Sequence, residues 1–139
     1  MKTWIRIFVI FMTMFGSAIC VYSASKNKKN QTYKKVHAIL TDIHKFDGKK
    51  VFLEGCLILE FEGDAIYSDV ESCDSRNYET SLWVNLSKEF KNYESPKTRK
   101  LKVKIEGVVS LKNKGHMGLW KGSLNNVKII SAEEIASSQ

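Results

Sequence analysis

The residues best placed to do chemistry lie in Gly115-His116-Met117-Gly118, followed closely by Trp120. An imidazole between glycines can donate or accept a hydrogen bond near neutral pH. Tyr67, Trp83 and Trp120 supply aromatic surfaces against which a ligand can pack. Together Tyr67, Trp83, His116 and Trp120 read as a shallow ligand-binding site with aromatic walls. The competing reading is structural: His116 fixes its own loop by bonding a neighbouring carbonyl, and the rings fill or cover the fold.

Metal and enzyme chemistry find little support. His116 and Met117 could suit a soft metal, but two ligands make a poor site. His37 and His44 are not joined by a cysteine at ligand spacing. Asp69, Glu71 and Asp74 resemble a fragment of a calcium loop without its turn glycine. Neither a nucleophile elbow, a phosphate-cradling loop nor a zinc-protease helix is found. Glu54, Glu60, Glu62 and Asp64 could in principle supply a carboxylate pair, but Glu54 and Glu60 alternate onto an outer strand face. The sequence therefore predicts no metal, no cofactor and a non-enzymatic role.

Charge is unevenly distributed. Residues 54–79 hold eight acids and one base, whereas residues 97–128 hold nine bases and one acid. The basic flank, with Lys100, Lys102, Lys104, Lys112 and Lys114, is a candidate landing site for a polyanion such as an oligonucleotide or lipid headgroup. The alternative is cross-strand pairing of Glu54 and Glu60 with Lys102 and Lys104.

The elements that must hold these residues begin after an export signal. Lys2 and Arg6 precede an apolar run from Ile7 to Phe15, and small residues lead to Ala24, a suitable end for a cleaved signal peptide over 1–24. The alternative is an uncleaved N-terminal anchor, although the apolar stretch is short for a span of ~20 residues. Cleavage would leave 20 basic and 15 acidic side chains, a net charge of +5. It would also remove Cys20 and leave Cys56 and Cys73. Two cysteines in an exported chain permit one disulfide, and closing the sixteen-residue loop between them could stabilise the fold by ~3 kcal/mol; two unpaired thiols are the other reading. Export to the periplasm or exterior makes nucleic acid an unlikely partner. Peripheral membrane contact and a protein partner stay open, as does the oligomeric state.

Residues 25–32 read as a flexible basic leader and 133–139 as a disordered tail. The intervening 33–132 are strand-rich, with little helix. Leu101, Val103, Ile105, Gly107, Val109 and Leu111 alternate with mostly polar residues, the period of a strand with one buried face. Lys50 to Phe61 alternates similarly, with Val51, Leu53, Leu57, Leu59 and Phe61 facing one way. Gly55 and Gly107 interrupt these long strands where a small barrel needs a bulge or coil. Shorter strands are predicted at Ala65-Ile66-Tyr67, at 82–86 and from Leu124 to Ile130. Tyr33 to Phe46 reads as a short helix or an added strand, and Ser87 to Ser95 offers two helical turns at most. Five strands with a long, coiled first and fourth predict an all-β, OB-like Greek-key barrel.

The run Phe46-Asp47-Gly48-Lys49-Lys50-Val51-Phe52-Leu53-Glu54-Gly55 resembles the opening of a functionally uncharacterised family of small exported bacterial proteins with an OB-like β-barrel. Ala65-Ile66-Tyr67, Leu82-Trp83-Val84, Val103-Lys104-Ile105-Glu106-Gly107 and Gly115-His116-Met117-Gly118-Leu119-Trp120-Lys121-Gly122 follow in matching order. Asn126-Val127 and Ile129-Ile130 complete a likeness covering about residues 36–130. The resemblance implies architecture and compartment, and no catalytic residue. The expectation is an exported binding module recognising an envelope or extracellular partner through its loop face, with the polyanion-binding barrel as alternative.

Overall fold

The computed structural model describes residues 31–86 and 98–136. The expected signal peptide, most of the basic leader, the end of the tail and Ser87 to Ser95 lie outside the described residues.

Five strands form: β1 (Lys50–Leu59), β2 (Ala65–Tyr67), β3 (Ser81–Val84), β4 (Arg99–Ser110) and β5 (Ser123–Glu134). They close into a barrel in the order β1-β2-β3-β5-β4. All neighbours are antiparallel except β3 and β5, which pair in parallel through Trp83 with Ser123 and Val84 with Leu124. The β1–β4 ladder runs from Lys50↔Val108 to Leu59↔Arg99. Period-two alternation has its expected consequence: Leu101, Val103, Ile105 and Val109 enter the buried cluster, while Lys102 and Lys104 remain exposed.

The two strand glycines have different jobs. A Cβ on Gly55 would lie 2.1 Å from the Tyr67 carbonyl oxygen, so only glycine lets β2 approach β1 this closely. Gly107 sits at a shift in the β4–β5 register, where a Cβ would come within 2.5 Å of Leu124.

The barrel core contains Val51, Leu53, Leu57, Ile66, Leu82, Val84, Ile105 and Leu124. Helix α1 (Val36–Leu40) and the 3-10 turn Ile43–Phe46 add Val36, Ile39 and Ile43, spaced to share one helical face. Both readings of Tyr33 to Phe46 are thus partly realised, because Lys34 also bridges Leu53 in parallel before the helix starts. Phe61 departs from the expected alternation. β1 ends at Leu59, and Phe61 is 91% exposed in the following turn. β5 runs to Glu134, beyond the predicted start of the tail.

A second cluster lies outside the barrel: Cys56, Ile58, Ala65, Tyr67, Cys73 and Trp120, with Trp83 and Ile135 against it. Its cover is α2 (Val70–Ser75), a helix the apolar pattern does not announce. Asp69 caps α2 by accepting the Ser72 N–H at 2.8 Å, and Arg76 ends it in the left-handed region. A disulfide joins Cys56 of β1 to Cys73 of α2, with their Cα atoms 6.1 Å apart. It fastens the cover to the barrel wall.

Candidate functional site

Two loops and one connection meet at the face beside the second cluster. The β1–β2 loop (60–64) is a tight turn in which Asp64 accepts the Glu60 N–H at 3.1 Å and Glu62 is left-handed at φ 55°. The β4–β5 loop (111–122) carries the 3-10 turn His116–Gly118. There Gly115, Met117 and Gly118 all have positive φ, and Asn113 accepts the Gly115 N–H at 3.0 Å. A Cβ on Gly115 would stand 2.7 Å from both the Trp83 and Trp120 rings, which makes this glycine obligatory for the loop's approach to the aromatics. The third part is the connection from α2 through the 3-10 turn Tyr78–Thr80.

Polar contacts tie these parts together. Glu62 of the β1–β2 loop reaches His116 Nε2 at 3.4 Å. Glu60 pairs with Arg76 after α2, and Lys121 of the β4–β5 loop pairs with Glu79 at 3.2 Å. Each is solvated and individually weak, but together they connect all three segments. Three of the four non-glycine residues with positive φ, namely Glu62, Arg76 and Met117, belong to this face. Such conformations persist where surrounding contacts over-determine them, often at ligand clamps.

Beneath the loops, Trp120 packs between two rings. Trp83 and Tyr78 each lie with centroids 4.8 Å from it in edge-to-face geometry. Trp120 is buried, and its indole Nε1 has no hydrogen-bond partner among the described residues. Tyr67 is also buried. Its hydroxyl is pushed above the ordinary tyrosine range by desolvation, with a hydrogen bond to Ser81 acting in the opposite direction. Of the four residues expected to form a ligand site, Tyr67, Trp83 and Trp120 therefore share one packed cluster, while His116 stands exposed on the loop above. Of the packed rings, Trp83 and Tyr78 keep surface open to solvent.

Sequence reasoning missed the apolar side chains at the surface. Phe61 is 91% and Met117 82% exposed, with Tyr78 and Leu119 about half exposed. All four sit on the three tied segments. The Gly-His-Met-Gly run pointed to the loop, but no local signal joined it to Phe61.

The basic residues are spread along β4 rather than gathered. Lys100 pairs with Asp74, and Lys104 lies 5.1 Å from the centroid of the Tyr33 ring. Glu54 faces Lys104 in the ladder but pairs with Lys35 at 3.2 Å. Lys112 and Lys114 are beyond the far end of the strand. Lys35, Lys102 and Lys104 do line a groove of about 750 Å³ over β1, β4 and β5, together with Glu54, Asp69 and Glu133. Its charge is mixed. Among the described residues no three His, Cys, Asp or Glu side chains converge on a metal position.

In comparisons with known proteins, no family model, no curated protein and no solved structure matches the chain.

Proposed function

We propose that this protein is an exported, OB-like binding module that engages its partner through the face built from the β1–β2 loop, the α2–β3 connection and the β4–β5 loop. The observation that carries the reading is the placement of exposed apolar groups. Of six large hydrophobic side chains exposed among the described residues, four (Phe61, Tyr78, Met117 and Leu119) occupy these segments. Phe61 and Met117 gain almost no burial from these positions, and the concentration supports a contact surface.

The barrel order, its parallel β3–β5 closure and the long β1 and β4 support an OB-like assignment, and OB folds commonly bind through the loops after β1 and β4. The N-terminal apolar segment and the resemblance to exported bacterial barrels support export, and a disulfide suits an oxidising compartment. In this reading His116 braces the loop against Glu62, and the packed aromatics below hold both in place. A polyanion-binding role for Lys35, Lys102 and Lys104 at the groove is the second reading. It is favoured by Lys102, which lines the groove opposite Glu133 in the ladder and forms no ion pair among the described residues.

Thermal-shift measurements against envelope glycans, phospholipid headgroups and oligonucleotides, at low and high salt, separate the two. The loop-face reading expects a shift that survives salt and disappears in Phe61→Asp. A shift erased by salt and by Lys102→Glu, yet intact in Phe61→Asp, would replace it with the groove.

A further inference from the structure

We propose that the outer edge of β5, from Val127 to Glu134, pairs antiparallel with the same edge of a second copy of this chain, joining two barrels about a two-fold axis. This goes beyond the loop-face reading and concerns a different surface, so either stands without the other.

The first support is strand pairing. One side of β5 lies against β4 along almost its whole length, from Ser110↔Ser123 to Leu101↔Glu134. Its other side is used far less. β3 pairs there only through Trp83 with Ser123 and Val84 with Leu124, and the Asn85 N–H donates to the Leu124 carbonyl. From Val127 to Glu134 that side has no strand partner among the described residues. The Ile135 N–H donates to the Lys100 carbonyl at 2.9 Å, so by alternation the N–H and C=O of Ala132 and Glu134 point away from β4. A row of such groups is a template for another strand. Ile130, 44% exposed, sits in the middle of it, and Ser131 to Glu134 are exposed as well.

Charge placement selects the occupant and its direction. Lys128 stands near one end of the edge and Glu133 near the other. Lys128 lies opposite Glu106 in the ladder and Glu133 opposite Lys102, so both belong to the outer face of the sheet. Residues an odd number apart ordinarily face opposite ways; the register shift between Lys104 and Ile105 brings these two to one face. Glu106 is engaged by Lys50 and Glu134 by Arg99, whereas Lys128 and Glu133 form no ion pair among the described residues. Antiparallel pairing sets Lys128 against Glu133 of the second copy, twice by symmetry. It also sets Ile129 against Ala132, which share the other face through their ladder partners Ile105 and Val103. Across the four outer strands the signs then alternate, as Glu106, Lys128, then Glu133 and Lys102 of the second copy. Parallel pairing in register would oppose Lys128 to Lys128 and Glu133 to Glu133, which is unfavourable. The edge is thus complementary to itself, as an isologous contact requires.

The test is sedimentation velocity over a concentration series. Every strand, both packed clusters and the disulfide lie within residues 33–136, so the chain from Ser25 onward contains the whole barrel and omits the apolar N-terminal segment. So short an edge buries less than a standard interface, and dimer is expected to appear progressively between about 5 and 500 µM. Lys128→Glu and Glu133→Lys should each weaken association about tenfold, because each sets like charges together at two symmetric places. Mixed one to one, the two variants should associate again, since the unlike copies meet with opposite charges at both places. Ala132→Pro should abolish the dimer by removing an outward N–H that β4 does not use. Lys128 and Glu133 are exposed, so an unchanged thermal midpoint verifies that their variants fold. Protein that stays monomeric at about 500 µM would overturn the proposal. A dimer that neither charge reversal weakens would also overturn it, as would two variants that stay apart when mixed. A dimer lost in Phe61→Asp and kept in the β5 variants would move the contact to the loop face and overturn it equally.

Discussion

Glu62 and His116, distant in the chain, meet at 3.4 Å and bring the β1–β2 loop to the β4–β5 loop. Both side chains are substantially solvated, so the pair adds little to global stability, about 0.5 kcal/mol or less. Its role is local. Glu62→Gln should leave the thermal midpoint nearly unchanged while raising amide hydrogen exchange at His116, Met117 and Gly118. Unchanged exchange in the variant would show that the loops are held independently.

Gly115 and Gly118 form a matched pair for separating steric from conformational cost. Both have φ near 70°, but a Cβ on Gly115 would strike two tryptophan rings, whereas nothing lies within 4 Å at Gly118. Gly118→Ala is expected to cost ~1 kcal/mol from backbone strain alone. Gly115→Ala should cost about 2 kcal/mol or more and alter the near-ultraviolet circular dichroism of the tryptophans. Equal losses in urea denaturation would contradict the described contact.

The disulfide between Cys56 and Cys73 closes a loop with a sequence separation of 17. Loop-closure entropy places its contribution at ~3 kcal/mol. The denaturant midpoint of the oxidised protein should exceed that of a Cys56→Ser/Cys73→Ser variant accordingly. The loss should appear first in protection of α2, which the bridge holds to β1. A variant with an unaltered midpoint would remove the bridge from the stability account.

Asp69 predicts an acid-side dependence. Accepting the Ser72 backbone N–H holds its carboxyl below the usual carboxylate range. A depressed folded value means the stabilisation is present above the unfolded range, near pH ~4, and is lost as pH falls through the folded value. Asp69→Ala should cost ~1 kcal/mol at pH 7, and its difference from the parent should shrink at pH 2 to 3. Asp69→Asn, which keeps an acceptor, should lose less. A pH-independent Asp69→Ala effect would mean that the cap acts through packing rather than charge.

The barrel strands were legible because each places one face in the core. Val103 and Ile105 against Lys102 and Lys104 is such a case, and Gly55 and Gly107 marked real departures from regular packing. Periodicity alone did not reveal where pairing stops, so Phe61 read as a continuation of β1 although it sits in the turn beyond. Helix α2 escaped because its six residues bury only Cys73 and carry no apolar stripe; the Asp69 cap was its one local signal. The candidate surface was half readable. Gly115 and Gly118 announced an unusual loop, but the joining of the segments that carry Phe61, Tyr78 and Met117 follows from barrel closure and polar contacts between distant residues. Trp120 and Tyr67 read as ligand-facing rings since aromatic residue type does not encode burial.

The most direct test of the central claim compares the parent with Phe61→Asp/Met117→Asp in one experiment. Thermal denaturation is measured alone and with each of the probes: envelope glycans, phospholipid headgroups and oligonucleotides. If the loop face exists for binding, the double variant will unfold at or slightly above the parent's midpoint and will lose the probe-induced shift. A double variant that melts markedly lower, or that keeps the parent's full response, would contradict the account.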